Sequence, residues 1–165
     1  MPQSKSPIQH TQDTDLTHSM AHYLLTIHKL KEERGYARVT DIAKEMELTK
    51  GSVSTALSNL KKRELVVEDD AKFISLSSTG HQQVHDILSS RTLLYYLFKD
   101  IIGVDPQTAH KDSCLMEHLL SGKTRQALFG FIKQNNSQFD VDLDLSQFEK
   151  PEDFYKAQKG DKYLE

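Results

Sequence analysis

The chain has 165 residues, with 21 lysines and arginines against 24 aspartates and glutamates, a formal charge of −3. That balance excludes a protein that coats nucleic acid indiscriminately, but it leaves room for a locally basic surface. No apolar run approaches about 18 residues and no charged-then-apolar leader opens the chain, so a cytoplasmic protein with no membrane partner is expected. The single cysteine, Cys114, cannot close an intrachain disulfide and fits a reducing compartment. The length suits one domain, or two small modules sharing a long helix.

Residues 1–16 are polar and read as a flexible N-terminus. Thr17 or Asp15 can cap a first helix that runs to about Glu33, with Gly35 as its stop. Met20, Leu24, Ile27 and Leu30 follow helical spacing, while His18, His22, Thr26 and Lys29 line another face. His18 and His28 read as surface residues. Tyr36 to Val39 is a short extended entry, Thr40 caps a second helix from Asp41 to Glu47, and Leu48-Thr49-Lys50-Gly51 makes a tight turn.

A third helix follows from Ser52 to about Arg63, with Val53, Ala56, Leu57 and Leu60 inward. Two short helices around a brief turn, the second rich in Ser, Thr, Asn and Lys, meet the needs of a helix-turn-helix. Its outer face would offer Lys50, Ser52, Thr55 and Ser58 to a major groove, and Lys61, Lys62 and Arg63 to phosphates. Arg38, Thr49 and Gly51 complete the set expected at DNA. On these features alone, an ordinary helical hairpin with a solvated face competes. Leu65 to Glu68, Asp69 to Lys72 and Phe73 to Leu76 then read as strand, turn and strand. A hairpin at that point is the wing of a winged helix.

Ser77-Ser78-Thr79-Gly80 caps a long helix, roughly His81 to Ile102. Leu93 to Phe98 is too apolar all round for a monomer's surface and is assigned to a core plus a dimer contact. His81 and His85, four apart but without a third donor, read as exposed. Asp105-Pro106 starts the next helix and Ser121-Gly122 stops it. With Cys114 at zero, His110 falls at about −40°, Glu117 at about −60° and His118 at about +40° on a helical wheel. Ala109, Leu115, Met116, Leu119 and Leu120 fall between about 100° and 240°, on the opposite face. A thiolate, two imidazoles and a carboxylate on one face suit a divalent transition metal. The competing reading is an amphipathic helix with a solvated polar face and a small buried cysteine. One helix rarely closes a coordination sphere, so a further ligand is expected from elsewhere.

Thr124 to Lys133 forms one more helix, ending at Gln134-Asn135-Asn136. In the acidic tail, Phe139, Val141, Leu143, Leu145 and Phe148 are spaced by two, as in a strand or a docking segment. The alternating Asp140, Asp142 and Asp144 lack the glycine and terminal glutamate of a calcium loop and read as solvated.

Taken together, M-A-H-Y-L-L-T-I-H-K-L, G-Y-A-R-V-T-D-I-A-K-E-M-E-L, S-V-S-T-A-L-S-N-L, S-S-T-G, D-I-I-G-V-D and C-L-M-E-H-L-L-S resemble the iron- and manganese-dependent repressors of the diphtheria-toxin-repressor family. The pieces stand in the family's order from about residue 18 to residue 133. The resemblance implies a mainly α fold: a winged helix-turn-helix over 17–80, a helical metal-binding and dimerisation domain over 81–134, and an acidic tail over 135–165. It places Cys114, Glu117 and His118 in the family's ligand cluster and His22 at the first-helix ligand position. Leu25 stands where the manganese branch has a second first-helix carboxylate. Arg91 and Tyr95 replace the iron branch's ancillary histidine and glutamate, which leaves His110 as an ancillary or supporting group. The tail is too short for the SH3-like module of the family's longer members.

The expected protein is thus no enzyme but a homodimeric repressor, activated by a divalent transition metal, that binds double-stranded operator DNA and controls metal-homeostasis genes. One thiolate, two imidazoles and one carboxylate suit zinc and ferrous iron, with manganese disfavoured; intrinsic affinity favours zinc, and it is the resemblance to the family's cysteine branch that tips the expectation slightly to iron. Alternatives are a winged-helix regulator that answers a small molecule or Cys114 oxidation without metal, a purely structural zinc site, and, remotely, a zinc hydrolase. No general base or nucleophile is placed for the last.

Overall fold

A computed structural model describes residues 16–139. The N-terminal segment before them and the tail from Asp140 onward, with its alternating acids, lie outside the described residues.

Helix α1 (His18–Arg34) starts where the Thr17 hydroxyl accepts the Met20 N–H, and it ends at Gly35, whose φ of 78° few other residues adopt at low cost. Helix α2 spans Val39–Glu45. Its cap is Arg38 rather than the expected Thr40, because the Asp41 carboxylate reaches back to accept the Arg38 N–H. The chain turns at Met46 and at Glu47, which holds a positive φ of 55°. Helix α3 (Lys50–Lys62) follows at once, capped by Thr49. Lys50 and Gly51 therefore belong to its first turn and not to the linking turn, since the Thr49 hydroxyl satisfies the Ser52 N–H.

Strands β1 (Val66–Glu68) and β2 (Ile74–Leu76) pair antiparallel, with Val66 opposite Leu76 and Glu68 opposite Ile74. The Ala37 carbonyl accepts the Ile74 N–H at 2.8 Å, so the entry segment before α2 is tied to the hairpin. Leu24, Ile27, Leu30, Ile42, Val53, Leu57, Leu60 and Ile74 form one contiguous buried core, closed by Val84 and Leu88 from the next helix. This arrangement of α1–α3 and the β1–β2 hairpin is a winged helix.

Helix α4 (Ser78–Tyr96) is capped by the Ser77 hydroxyl, which accepts the Gly80 N–H. A Cβ on Gly80 would stand 2.0 Å from the Leu65 carbonyl oxygen, so only glycine lets α4 pass this close to the wing. Instead of running as one α-helix to Ile102, the chain widens after Tyr96 into a π-helical stretch, Leu97–Ile102, and stops at Gly103 with φ 84°. Helix α5 (Pro106–Met116) is capped by Asp105, which accepts the Thr108 N–H. It ends earlier than expected, leaving Glu117 and His118 in the turn that follows. The Ser121 hydroxyl accepts the Thr124 N–H, so Ser121-Gly122 opens α6 (Gly122–Phe139) rather than stopping α5. Helix α6 also outruns the expected stop at Asn136, which puts Phe139 at a helix end and not in a strand.

A second, smaller core joins Leu93 of α4 to Ile132 of α6, flanked by Tyr96, Ile101, Leu128 and Phe129. Leu93, Leu94 and Tyr95 are buried within this single chain. Among the described residues, no helix is long and apolar enough to cross a membrane.

Candidate functional site

The inward face of α5 is not the one expected from apolar residues. Ala109, Ser113 and Glu117 are buried, whereas Leu115, Met116 and Leu119 are exposed, Leu119 by 65%. The buried stripe is turned by about 90° from the apolar arc, towards the donor face. The cause lies on α4. Arg91 donates through Nε and Nη2 to both carboxylate oxygens of Glu117, the Nη2 bond at 2.9 Å, and Nη2 also stands 4.0 Å from the Cys114 Sγ. The Glu117 side chain is fully buried and that of Arg91 is 14% exposed. A carboxylate so deep requires a charged partner, and the forked guanidinium matches it.

The imidazoles meet beside this ion pair. His22 projects from α1 and His118 from the turn after α5, and the His18 ring lies between them. Its centroid is 4.3 Å from that of His22 and 4.9 Å from that of His118. His18 was expected to be a surface residue on its own. It is exposed, yet it is part of this cluster, and only the distant His118 could have revealed that. His22 Nε2 and His118 Nδ1 are buried without a hydrogen-bond partner among the described residues. His110 is half-buried on α5, close enough to influence Glu117 through its charge.

Burial lowers the pKa of His22, helped by His18, Arg91 and His118, and burial with His18 lowers that of His118, so both rings favour the neutral, ligating form. Burial pushes the Cys114 thiol up, as does Glu117, with Arg91 pulling the other way. Burial also raises Glu117 above the ordinary carboxylate range against the pull of Arg91. On Arg91 itself, burial favours the neutral form, and the Glu117 and Cys114 bonds more than offset it.

Among the described residues, no three His, Cys, Asp or Glu side chains already stand at metal-holding distances. The residues nonetheless fit a metal in kind: buried imidazole nitrogens lack partners, and a carboxylate and a thiol are adjacent. His81 and His85 are not such a group; contrary to expectation His85 is only 12% exposed and lies beside Asp86, which Arg125 holds at 2.9 Å. His28 is half-buried as well, not on the open surface.

Away from these residues in sequence, α3 exposes Lys50, Gly51, Ser52, Thr55, Ser58 and Lys62, next to its cap Thr49. Thr55 Oγ1 donates to the Gly51 carbonyl and Ser58 Oγ to that of Ser54, which leaves their oxygen lone pairs outward as acceptors. Lys61 turns to the wing and pairs with Glu68, which also binds Lys72 at 3.3 Å. Arg38 is exposed and its guanidinium lies 4.3 Å from the Phe73 ring centroid at the base of the wing.

Comparison with known proteins agrees with this layout. Residues 15–72 match the family described as iron dependent repressor, N-terminal DNA binding domain, and residues 77–140 match iron dependent repressor, metal binding and dimerisation domain. The HTH-type transcriptional regulator MntR of Shouchella clausii is 33% identical over 141 residues, covering 84% of this chain and 96% of that protein. The diphtheria toxin repressor of Corynebacterium diphtheriae is 28% identical over 119 residues, 72% of this chain and 53% of that one. Two solved structures share the fold. A hypothetical protein of Sulfolobus solfataricus has a TM-score of 0.64 at 22% identity, covering 72% of this chain and 91% of that one, and the manganese regulator SloR has 0.58 at 20%, covering 68% and 53%. The chain belongs to the family of metal-dependent, DNA-binding transcriptional repressors that includes MntR and the diphtheria toxin repressor.

Proposed function

We propose that this chain is a homodimeric repressor of metal-homeostasis genes, in which a divalent transition metal joins His22 to Cys114, Glu117 and His118 and so fixes the winged helix for operator binding. The observation that carries this reading is the convergence on the His18 ring of His22, from a helix packed in the winged-helix core, and His118, from the turn after α5, each with a buried ring nitrogen that has no partner among the described residues. The metal supplies a positive charge and directional bonds between these two parts of the chain. His22 and His118 offer neutral nitrogens, Glu117 offers charge, and His110 stands behind the cluster as a supporting or ancillary group. We place the DNA-binding unit at 17–80 and the metal-binding and dimerisation unit at 81–134. Thr49, Lys50, Gly51, Ser52, Thr55 and Ser58 would read the major groove, with Arg38, Lys61 and Lys62 at phosphates. Lys61 would have to leave Glu68 to do so.

Metal choice is pulled two ways. The thiol and imidazoles favour ferrous iron and zinc over manganese. Similar proteins include several called MntR and a manganese regulator, which raises manganese to stand beside iron. A metal-independent reading through Cys114 oxidation is the weaker one, because burial holds the thiol in its less reactive protonated form.

The test is anaerobic binding to operator duplexes selected from a random pool, with and without Mn2+, Fe2+ or Zn2+. His118→Ala should lose the metal response while keeping its unfolding midpoint in chelator. A variant that responds fully to metal would show that the ligand set is wrong.

A further inference from the structure

His18 opens α1 one turn before His22, and the two rings meet edge to face at a centroid distance of 4.3 Å and 62° between planes. Two histidines at this spacing on a helix are often just neighbours. Here a third ring, His118, arrives from the far side of the cleft, 4.9 Å from His18. Two of the three rings hold a buried nitrogen without a partner, and the third ring is the one open to solvent. Arg91 binds both Glu117 oxygens and approaches Cys114, so the carboxylate and the thiol are already engaged by a cation, whereas His22 Nε2 and His118 Nδ1 have no hydrogen-bond partner among the described residues.

We propose that His18 is a metal ligand, making His18, His22 and His118 a three-imidazole set. This rests on the reading that the cluster binds metal, and it goes beyond it by adding a ligand and by moving the weight of the site from sulfur to nitrogen. Three imidazoles with a nearby carboxylate suit zinc, ferrous iron, cobalt and manganese. The exposed His18 ring would be the first donor that an entering ion meets.

The test is anaerobic cobalt(II) titration of the metal-free full chain, read by visible absorbance and by calorimetry. Wild type, His18→Ala, His18→Phe and Cys114→Ser are compared. His18→Phe retains a ring against His22 but has no donor nitrogen, so it separates ligation from packing. Both His18 variants are expected to bind Co2+ about 10- to 100-fold more weakly, with altered d–d bands, while melting normally without metal. Cys114→Ser should change affinity less than either. If His18→Phe binds Co2+ with the wild-type affinity and spectrum, His18 is a packing residue and the inference falls. Wild type that binds no Co2+ at all would instead remove the metal reading on which the inference rests.

Discussion

The two halves of this chain bury their apolar residues to very different degrees. The winged helix closes a contiguous core from Tyr23 to Leu88, with Leu24, Ile27, Leu30, Ile42, Leu57, Leu60 and Ile74 essentially inaccessible. The half built from α5, α6 and the end of α4 buries Leu93 and Ile132, yet leaves Leu115, Met116, Leu119, Phe131 and Ile102 outside. A chain does not ordinarily hold this much apolar surface in water. The first half closes its core with Val84 and Leu88 of α4, though Tyr36, Leu48 and Val67 stay exposed, and the second holds a charge pair, Arg91–Glu117, in its interior while several apolar side chains face outward. One half is organised mainly by hydrophobic burial, the other around an ion pair.

The sharpest way to break this contrast is Arg91→Ala. It strands the Glu117 carboxylate in a buried site, and we expect a loss of about 3–5 kcal/mol in metal-free stability by urea unfolding. Arg91→Ala with Glu117→Gln should recover much of that, because no unpaired charge remains. An Arg91→Ala variant as stable as wild type would mean that the ion pair does not organise this half. Next is Gly80→Ala, which drives a methyl group into the Leu65 carbonyl where α4 crosses the wing. The expected loss is about 1–3 kcal/mol, without any change in metal affinity. The smallest intrinsic effect belongs to Leu119→Ser. An exposed substitution should cost the single chain within about 0.5 kcal/mol, while sedimentation shows a weakened dimer. Unchanged association would place the partner subunit on another face.

Legibility in the sequence divides along the same line. Thr17, Gly35, Ser77 and Asp105 act where their local patterns place them, because a cap is decided within four residues, whereas Thr49 caps a helix where the pattern predicts a turn and Arg38 takes the place expected of Thr40. The face of α5 was not legible from apolar periodicity, since the partner that turns Glu117 inward lies 26 residues away on α4. The buried stripe lies between the apolar and donor arcs, and of the four donors only Glu117 is on it, as half of a salt bridge. His18 carried no signal of its own, because a histidine at a helix start is ordinarily solvated and its neighbour His118 comes from the far end of the fold. The π-helical stretch after Tyr96 was likewise hidden in a run that reads as continuous α-helix.

Helix α4 gives Val84 and Leu88 to one core and Leu93 to the other, with Gly80 seated against the wing and Arg91 against the cluster. Its 19 residues make a rod about 28 Å long. Pivoted at Gly80, a tilt of about 10° would sweep the far end by about 4 Å. A displacement of a few ångströms exceeds a metal–ligand bond of about 2 Å, and it would also shift recognition helices that must land in register in successive major grooves about 34 Å apart. Were α4 to tilt in this way on binding metal, DNA that holds two recognition helices at the correct separation would tighten the grip on the ion by the same factor as the ion tightens the grip on DNA.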